Sequence, residues 1–282
     1  MSLSFDDKPA LTKISFRLER GEMIFLTGAS ASGKSVLLHL AMGLLRPDEG
    51  QIFVEGIEIE NLDESQLLAV RGGSMGIVFQ EESLFTGMSV YANAAYRLEE
   101  HGWEEDKIDK AVREVLRFVG LDGEEEKFTE ELSGGMKRRV EIARALIGWP
   151  SVMLFDEPTL SLDPIVAVQI LDLIIRARDI NNISSLYVTK KLHEIPYLAS
   201  CRASEDSKGE IAISEIPADR IPETKIIVLD SGKAAFSGSV AEFEKSNIAA
   251  IENLRLVHKA EQPEYYVANP WDKKRKPKEE IL

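Results

Sequence analysis

Eight residues, Gly28-Ala29-Ser30-Ala31-Ser32-Gly33-Lys34-Ser35, carry the first chemistry legible in this chain. Two glycines flank four residues and a Lys-Ser pair follows, the spacing of a loop whose backbone N–H groups wrap phosphates. In such a loop Lys34 brings charge to the terminal phosphates, and the Ser35 hydroxyl is placed for magnesium at the start of a helix. Downstream, Asp156 and Glu157 close the apolar run Val152-Met153-Leu154-Phe155. Carboxylates ending a buried strand are costly unless a cation meets them, so Asp156 reads as a magnesium partner and Glu157 as the general base or water-orienting group. A salt-bridged or helix-capping pair ahead of Pro158 is the alternative. Between the two, Leu132-Ser133-Gly134-Gly135-Met136 offers a second, separate phosphate-binding surface. Two half-sites in one chain imply that two chains meet around the ligand.

These residues need strands and helices to hold them. Met23-Ile24-Phe25-Leu26 is a continuous apolar strand entering the phosphate loop, and the apolar segment 36–45 behind the loop predicts a buried helix. Ile14-Ser15-Phe16-Arg17-Leu18 alternates as a strand should, and 52–59 turns through Glu55-Gly56 as a hairpin. Met75-Gly76-Ile77-Val78-Phe79 is another short strand. From 81 to 145 the pattern becomes helical, with Ile108, Val112, Val115, Leu116 and Val119 on one face. Strands return at 152–155, 185–188 and 225–229, with a helix over 165–180, a βαβ rhythm that predicts a parallel sheet in an α/β core. The expected division is 1–80 and 146–245 for the core, 81–145 for an inserted helical subdomain and 246–282 for a helical and basic tail. Residues 202–222 interrupt a short helix-to-strand connection and read as a surface insertion.

Composition limits the partners. The 282 residues carry a net charge of −14, which disfavours nucleic-acid binding. The basic stretch Lys273-Lys274-Arg275-Lys276-Pro277-Lys278 is the exception, a solvated tail or a contact for anionic headgroups or RNA. One cysteine, Cys201, excludes an intrachain disulfide and suits a reducing compartment, so the expected location is cytoplasmic. Neither a leader-like start nor a run of roughly 20 apolar residues is present, so any membrane role must come through a partner.

With the phosphate loop, the Ser-Gly-Gly run and the acidic strand in this order, the chain resembles the ATP-binding subunits of ABC transporters. The resemblance implies a P-loop NTPase (RecA-like) α/β core, an antiparallel β subdomain and an inserted α-helical signature subdomain. Leu132 to Met136 looks like the ABC signature, Gln80 after Val78-Phe79 like the Q-loop glutamine, and Ser161-Leu162-Asp163 like the D-loop. By that resemblance ATP and Mg2+ are the cofactors. ATP would lie between Gly28, Ala29, Ser30, Ala31, Ser32, Gly33, Lys34, Ser35 and Val36 of one subunit and Ser133, Gly134, Gly135 and Asp163 of its partner. Small residues suit the signature because backbone must approach phosphate at a helix N-terminus. Phe5 takes the place of the aromatic that stacks on adenine, or is a core Phe. Magnesium falls to Ser35, Gln80 and Asp156, and catalysis to Glu157, Gln80 and the residue at the switch position.

Two departures bear on that picture. Ala31 stands where a further glycine is usual, which costs roughly 1 kcal/mol if the position needs positive φ. The switch histidine is absent, and Lys190 in Leu186-Tyr187-Val188-Thr189-Lys190-Lys191 replaces it; a lysine supplies charge to the γ-phosphate but cannot accept a hydrogen bond while charged. His193, about one helical turn further, reads as a surface or capping residue. Residues 78–98, including Gln80-Glu81-Glu82-Ser83-Leu84-Phe85-Thr86-Gly87-Met88, are similar to Mla/Mce-type ATPases of bacterial lipid transport, and Asp163-Pro164-Ile165 is shared with them. The implied assembly is a homodimer on an integral-membrane permease at the inner face of the membrane, with a lipid-transfer subunit. Non-lipid cargo, or a nucleotide-gated regulatory subunit with weak hydrolysis, are the alternatives.

Overall fold

The computed structural model describes residues 1–217 and 224–261. In chain order the elements are β1 (Leu3–Phe5), β2 (Lys8–Leu11), β3 (Met23–Gly28), α1 (Lys34–Ala41), β4 (Phe53–Val54), β5 (Ile57–Glu58), α2 (Glu64–Ser74), β6 (Met75–Val78), α3 (Val90–Glu100), α4 (Glu105–Val119) and α5 (Gly134–Leu146). There follow β7 (Val152–Asp156), α6 (Pro164–Ile180), β8 (Ser184–Val188), α7 (Glu194–Ser200), β9 (Cys201–Glu205), β10 (Ile211–Glu215), β11 (Lys225–Asp230), β12 (Lys233–Ser239), α8 (Val240–Lys245) and α9 (Ala249–Glu261).

Six strands form the central sheet in the order β12-β11-β3-β8-β7-β6. All neighbours are parallel except the β11–β12 hairpin at one edge. The continuous apolar runs read in the sequence are what such a sheet requires, because both of its faces are covered. Period-two alternation sorts β3 between two cores: Phe25 packs with Phe155 and Tyr187 toward α3–α6, while Ile24 and Leu26 pack with Leu37, Leu38 and Leu186 on the other face. The α/β core, the small antiparallel pairs β1–β2 and β4–β5, and the helices α3–α5 between β6 and β7 match the expected fold class. α4 presents the apolar stripe Ile108, Val112, Val115, Leu116 and Val119 to the core and ends at Gly120 (φ 74), the left-handed cap that glycine tolerates.

One local expectation changes, and two hairpins are added to the sequence reading. Residues 14–18 alternate in burial but carry no strand, because among the described residues β4 pairs with β5 and no strand lies in register beside them to complete a ladder. In the N-terminal segment the hairpin is instead β1–β2, turned by Asp6 and Asp7 at positive φ. The surface insertion begins as the ordered hairpin β9–β10. It is clamped on α6, where Ala203 N–H donates to Asp179 at 2.8 Å and Arg178 donates to the Cys201 carbonyl at 2.7 Å. Ala203 and Ile213 pack against the core, an apolar pairing hidden in a polar stretch. The end of the tail from 262 onward, with the basic run 273–278, lies outside the described residues. Among the described residues no helix is long and apolar enough to cross a membrane.

Candidate functional site

Parallel strands deliver their C-terminal ends to one edge of the sheet. Leu26 stands opposite Val188, Asp156 opposite Val188, and Val78 opposite Phe155. The phosphate loop after β3, Lys190 after β8, Asp156-Glu157 at the end of β7 and Gln80 after β6 therefore leave the same edge side by side. Such an edge is where ligands settle in open α/β sheets.

The phosphate loop holds its shape with close backbone packing. A methyl on Gly28 (φ 153) would meet the Leu229 carbonyl at 2.3 Å, and one on Gly33 (φ 103) would meet Leu11 at 2.7 Å. Ala31 takes φ 60, so the strain anticipated for a residue with a Cβ is present. Lys34 is buried and donates to the carbonyls of Gly28 (2.8 Å) and Ala29 (2.7 Å) and to Ser32 Oγ (3.4 Å). Burial pushes its ammonium down from 10.5 to about 8; Lys190 adds repulsion, and Glu157 and Asp156 act in the opposite direction. Ala29, Ser30 and Ser35 are exposed at the mouth, while Val36 is half-buried against the lower core.

Asp156 accepts a hydrogen bond from Ser35 Oγ at 3.0 Å through Oδ2, while its buried Oδ1 has no partner among the described residues. Burial raises the pKa of this carboxyl, an effect that a bound cation would reverse. A hydroxyl beside an orphaned carboxylate oxygen is the hard, oxygen-only donor set that magnesium takes with phosphate and water. Among the described residues no group of three or more His, Cys, Asp or Glu is placed to hold a metal ion.

Glu157 is buried, adopts φ 45 and is fixed by its N–H to the Val188 carbonyl at 3.0 Å. Lys190 Nζ lies 2.8 Å from Glu157 Oε1. The cation at the switch position thus engages the candidate base directly. Glu157, Ala31 and Ser161 (φ 61) are three of the non-glycine residues in left-handed backbone, and all lie at this site. Strained positions of this kind concentrate where the surrounding structure fixes a functional geometry. His193 stands at the N-terminal end of α7 and its ring stacks on His258 at 5.4 Å.

The signature residues open α5. Ser133 Oγ caps the helix by accepting from Met136 N–H at 3.3 Å. Ser133 and Gly134 are exposed, and a methyl on Gly134 would meet nothing within 4 Å. Gly135 differs, since a methyl there would meet Val166 Cγ1 at 2.7 Å; it is needed where α5 crosses α6. Asp163 is engaged within its own chain, accepting from the N–H groups of Ile165 (3.0 Å) and Val166 (3.1 Å) as the cap of α6. Phe5 is exposed at the end of β1, on the hairpin whose Ala10 and Leu11 back the phosphate loop.

Sequence reasoning missed the brace behind Gln80. Arg138 on α5 donates to the carbonyls of Phe79 (2.7 Å) and Gln80 (3.2 Å) and to Glu141 (2.7 Å). Glu141 accepts the Ser83 N–H at 2.7 Å, and Arg144 donates to the Ser83 carbonyl at 2.8 Å. Burial raises the Glu141 pKa, and Arg138 opposes it. The helix that starts with the signature therefore grips the segment that carries Gln80, and a cleft of about 380 Å³ between them is lined by Gln80, Lys137, Ser161 and Leu162. The periodicity of α5 places these charges on its inner face, but charges on a helix ordinarily read as solvated.

Known proteins bear on this geometry. A family profile described as ABC transporter matches residues 11–160. The methionine import ATP-binding protein MetN of Carboxydothermus hydrogenoformans is 39% identical over 186 residues, 66% of this chain and 55% of that protein. The glycine betaine/carnitine transport ATP-binding protein GbuA of Listeria monocytogenes is 36% identical over 184 residues, 65% of this chain and 46% of that protein. The chain thus spans about half the length of these curated relatives. They are named for methionine and glycine betaine/carnitine transport, not for the lipid transport implied by the resemblance of residues 78–98. Among solved structures, the dimeric ABC transporter cassette MJ0796 superposes with TM-score 0.68 at 24% identity, covering 85% of this chain and 95% of that one. A post-hydrolysis form of the same cassette with ADP and Pi gives 0.69.

Proposed function

Because the chain belongs to the ABC transporter family, we propose that it is an ATP-binding and ATP-hydrolysing subunit that closes as a dimer around two ATP and drives a separate membrane permease. The observation that carries this is the meeting of Lys34, Ser35, Asp156, Glu157 and Lys190 at one sheet edge, in a chain whose Ser133 and Gly134 face outward. Magnesium held by Ser35 and Asp156, with Gln80, would neutralise phosphate charge. The phosphate-loop N–H groups and Lys34 bind and orient the γ-phosphate. Glu157, fixed by the Val188 carbonyl, orients the attacking water and accepts its proton. For Glu157 to do so, Lys190 must leave it, and the γ-phosphate is the anion for which it would leave. Phe5 supplies an exposed ring for adenine, and the signature half of the partner closes over the phosphates. The subunit would sit on the inner face of the membrane through its permease, with no nucleic acid involved.

The test of the enzyme reading is Glu157→Gln. Hydrolysis should fall by about 10²-fold or more while an ATP-bound dimer accumulates in size-exclusion chromatography. A variant whose turnover and dimer fraction match the wild type would return the chain to a nucleotide-gated regulatory role.

For cargo, phospholipid transport between bacterial membranes is supported by residues 78–98, the region following Gln80 to which the permease would dock. Import of a small zwitterion is the second reading, supported by the names of the relatives. Gentle detergent extraction with this chain tagged, followed by mass spectrometry, separates them. A permease with a single-span subunit holding phospholipid supports the first; a permease with an amino-acid or betaine receptor supports the second.

A further inference from the structure

One buried carboxylate near the catalytic edge has no role in the chemistry above. Glu194 opens α7 and is 1% exposed. Among the described residues no cation pairs with it. It is satisfied by three hydroxyls: Tyr187 OH at 2.8 Å and Thr189 Oγ1 at 2.7 Å donate to Oε2, and Thr159 Oγ1 donates to Oε1. Burying a carboxylate without a cation is expensive, and an apolar side chain of similar volume would fill the space at lower electrostatic cost. What the carboxylate provides is direction, because its two oxygens fix hydroxyls from two different segments.

Those segments flank the Lys190–Glu157 pair. Thr159 follows Glu157 by two residues, and Thr189 immediately precedes Lys190. Lys191 adds a second tie between the same segments, donating through Nζ to the Thr159 carbonyl at 2.8 Å and through its N–H to Thr189 Oγ1 at 2.9 Å. Tyr187 locks the group to the sheet, with its ring 5.9 Å from Phe25 and 6.0 Å from Phe155.

We propose that Glu194 is a positioning residue for hydrolysis: through Thr159 on one side and Thr189 on the other, it sets the distance between Glu157 and Lys190. It touches neither of them and acts only through the two segments it joins. A helix-opening glutamate ordinarily reads as a favourable partner of the helix dipole, so nothing in the sequence marks this one. The inference rests on the reading of Glu157 and Lys190 as the hydrolytic pair.

The experiment uses the full chain and two volume-conserving variants, Glu194→Gln and Thr159→Val, each checked for folding by its thermal transition. In nucleotide-free protein, acetylation of Lys190 by N-hydroxysuccinimide acetate is followed by peptide mass spectrometry, with the exposed Lys8 and Lys107 as internal references. Loosening an ion pair of this exposure should raise Lys190 labelling by about threefold, the references staying constant. In steady-state hydrolysis kcat should fall about tenfold with KM for MgATP changed by less than about twofold. In a Lys190→Met background the same substitutions should cost little more, since a residue that acts through Lys190 cannot act without it. Unchanged Lys190 labelling in folded variants, or an equal kcat loss with and without Lys190, overturns the proposal. Absence of hydrolysis in the wild type would instead overturn the enzyme reading, and the labelling would still decide the role of Glu194.

Discussion

The two regions proposed to bind phosphate are built differently. Around Gly28 to Ser35 the structure is finished from within: Lys34 is buried on loop carbonyls, Ser35 meets Asp156, and Gly33 packs on the β1–β2 hairpin. Around Ser133 and Gly134 only the helix cap is satisfied, and the space above Gly134 is open. Ordinary packing explains Gly135, which meets Val166, but among the described residues no contact explains Gly134. A glycine that nothing in its own subunit requires is accounted for by close approach of a ligand held elsewhere, which is what a partner's nucleotide would be.

The strongest way to break this contrast is to inactivate each half in a different chain. Lys34→Ala and Gly134→Asp should each lower hydrolysis by about 10²-fold. Gly134→Asp should do so without loss of stability, because its side chain enters open space. Mixed in equal amounts, the two should regain about a quarter of wild-type activity, since half the dimers then hold one intact composite site under two-fold symmetry. A mixture as inactive as its components would mean that each chain completes its own site.

How much of this was legible beforehand follows the same division. Motif spacing marked Gly28 to Ser35, Asp156, Glu157 and Ser133 to Gly135 as candidates, because there the proposed chemistry dictates residue types in sequence. The continuous apolar strands announced a sheet covered on both faces. What stayed hidden depends on contacts between distant segments: Arg138 and Glu141 behind Gln80, Glu194 beneath Lys190, and Ile213 of the insertion hairpin against the core. Residues 14–18 failed for the converse reason: their alternation was genuine, but a strand exists only where a partner completes its ladder.

The switch position sharpens the comparison on the phosphate-loop side. Lys190 holds Glu157 at 2.8 Å, so the proposed base is engaged until phosphate competes for the lysine. Lys190→His removes that pair and supplies a ring able to accept a hydrogen bond when neutral. Turnover should rise about threefold, from the hydrogen bond that the ring can accept rather than from release of the pair. An unchanged or lower rate would show that Lys190 is already competent in the exchange.

Lys34 gives the phosphate half a pH signature that the signature half lacks. Its folded-state value of about 8 lies below the unfolded 10.5, so between these pH values the folded chain binds fewer protons than the unfolded one. Its burial therefore destabilises the nucleotide-free protein below about pH 8, and that penalty fades as pH rises through this window. Phosphate restores the charge, so nucleotide binding near pH 8.5 should take up protons and weaken with further alkalinity. Calorimetric titration in buffers of different ionisation enthalpy measures the uptake directly; proton release would show that Lys34 is not the phosphate-facing charge.

The smallest effect expected is at Ala31. Its φ of 60 carries a left-handed penalty of roughly 1–2 kcal/mol that glycine would not bear. Glycine also gives the unfolded chain more freedom, which removes about 0.4–1 kcal/mol of that gain. Ala31→Gly should therefore stabilise the protein by about 0.5–1 kcal/mol in denaturant unfolding, with nucleotide affinity nearly unchanged because the loop already has its bound shape. If affinity rose while stability did not, the strain would lie in the empty loop's adjustment to phosphate, and the phosphate half would be less finished than its hydrogen bonds indicate.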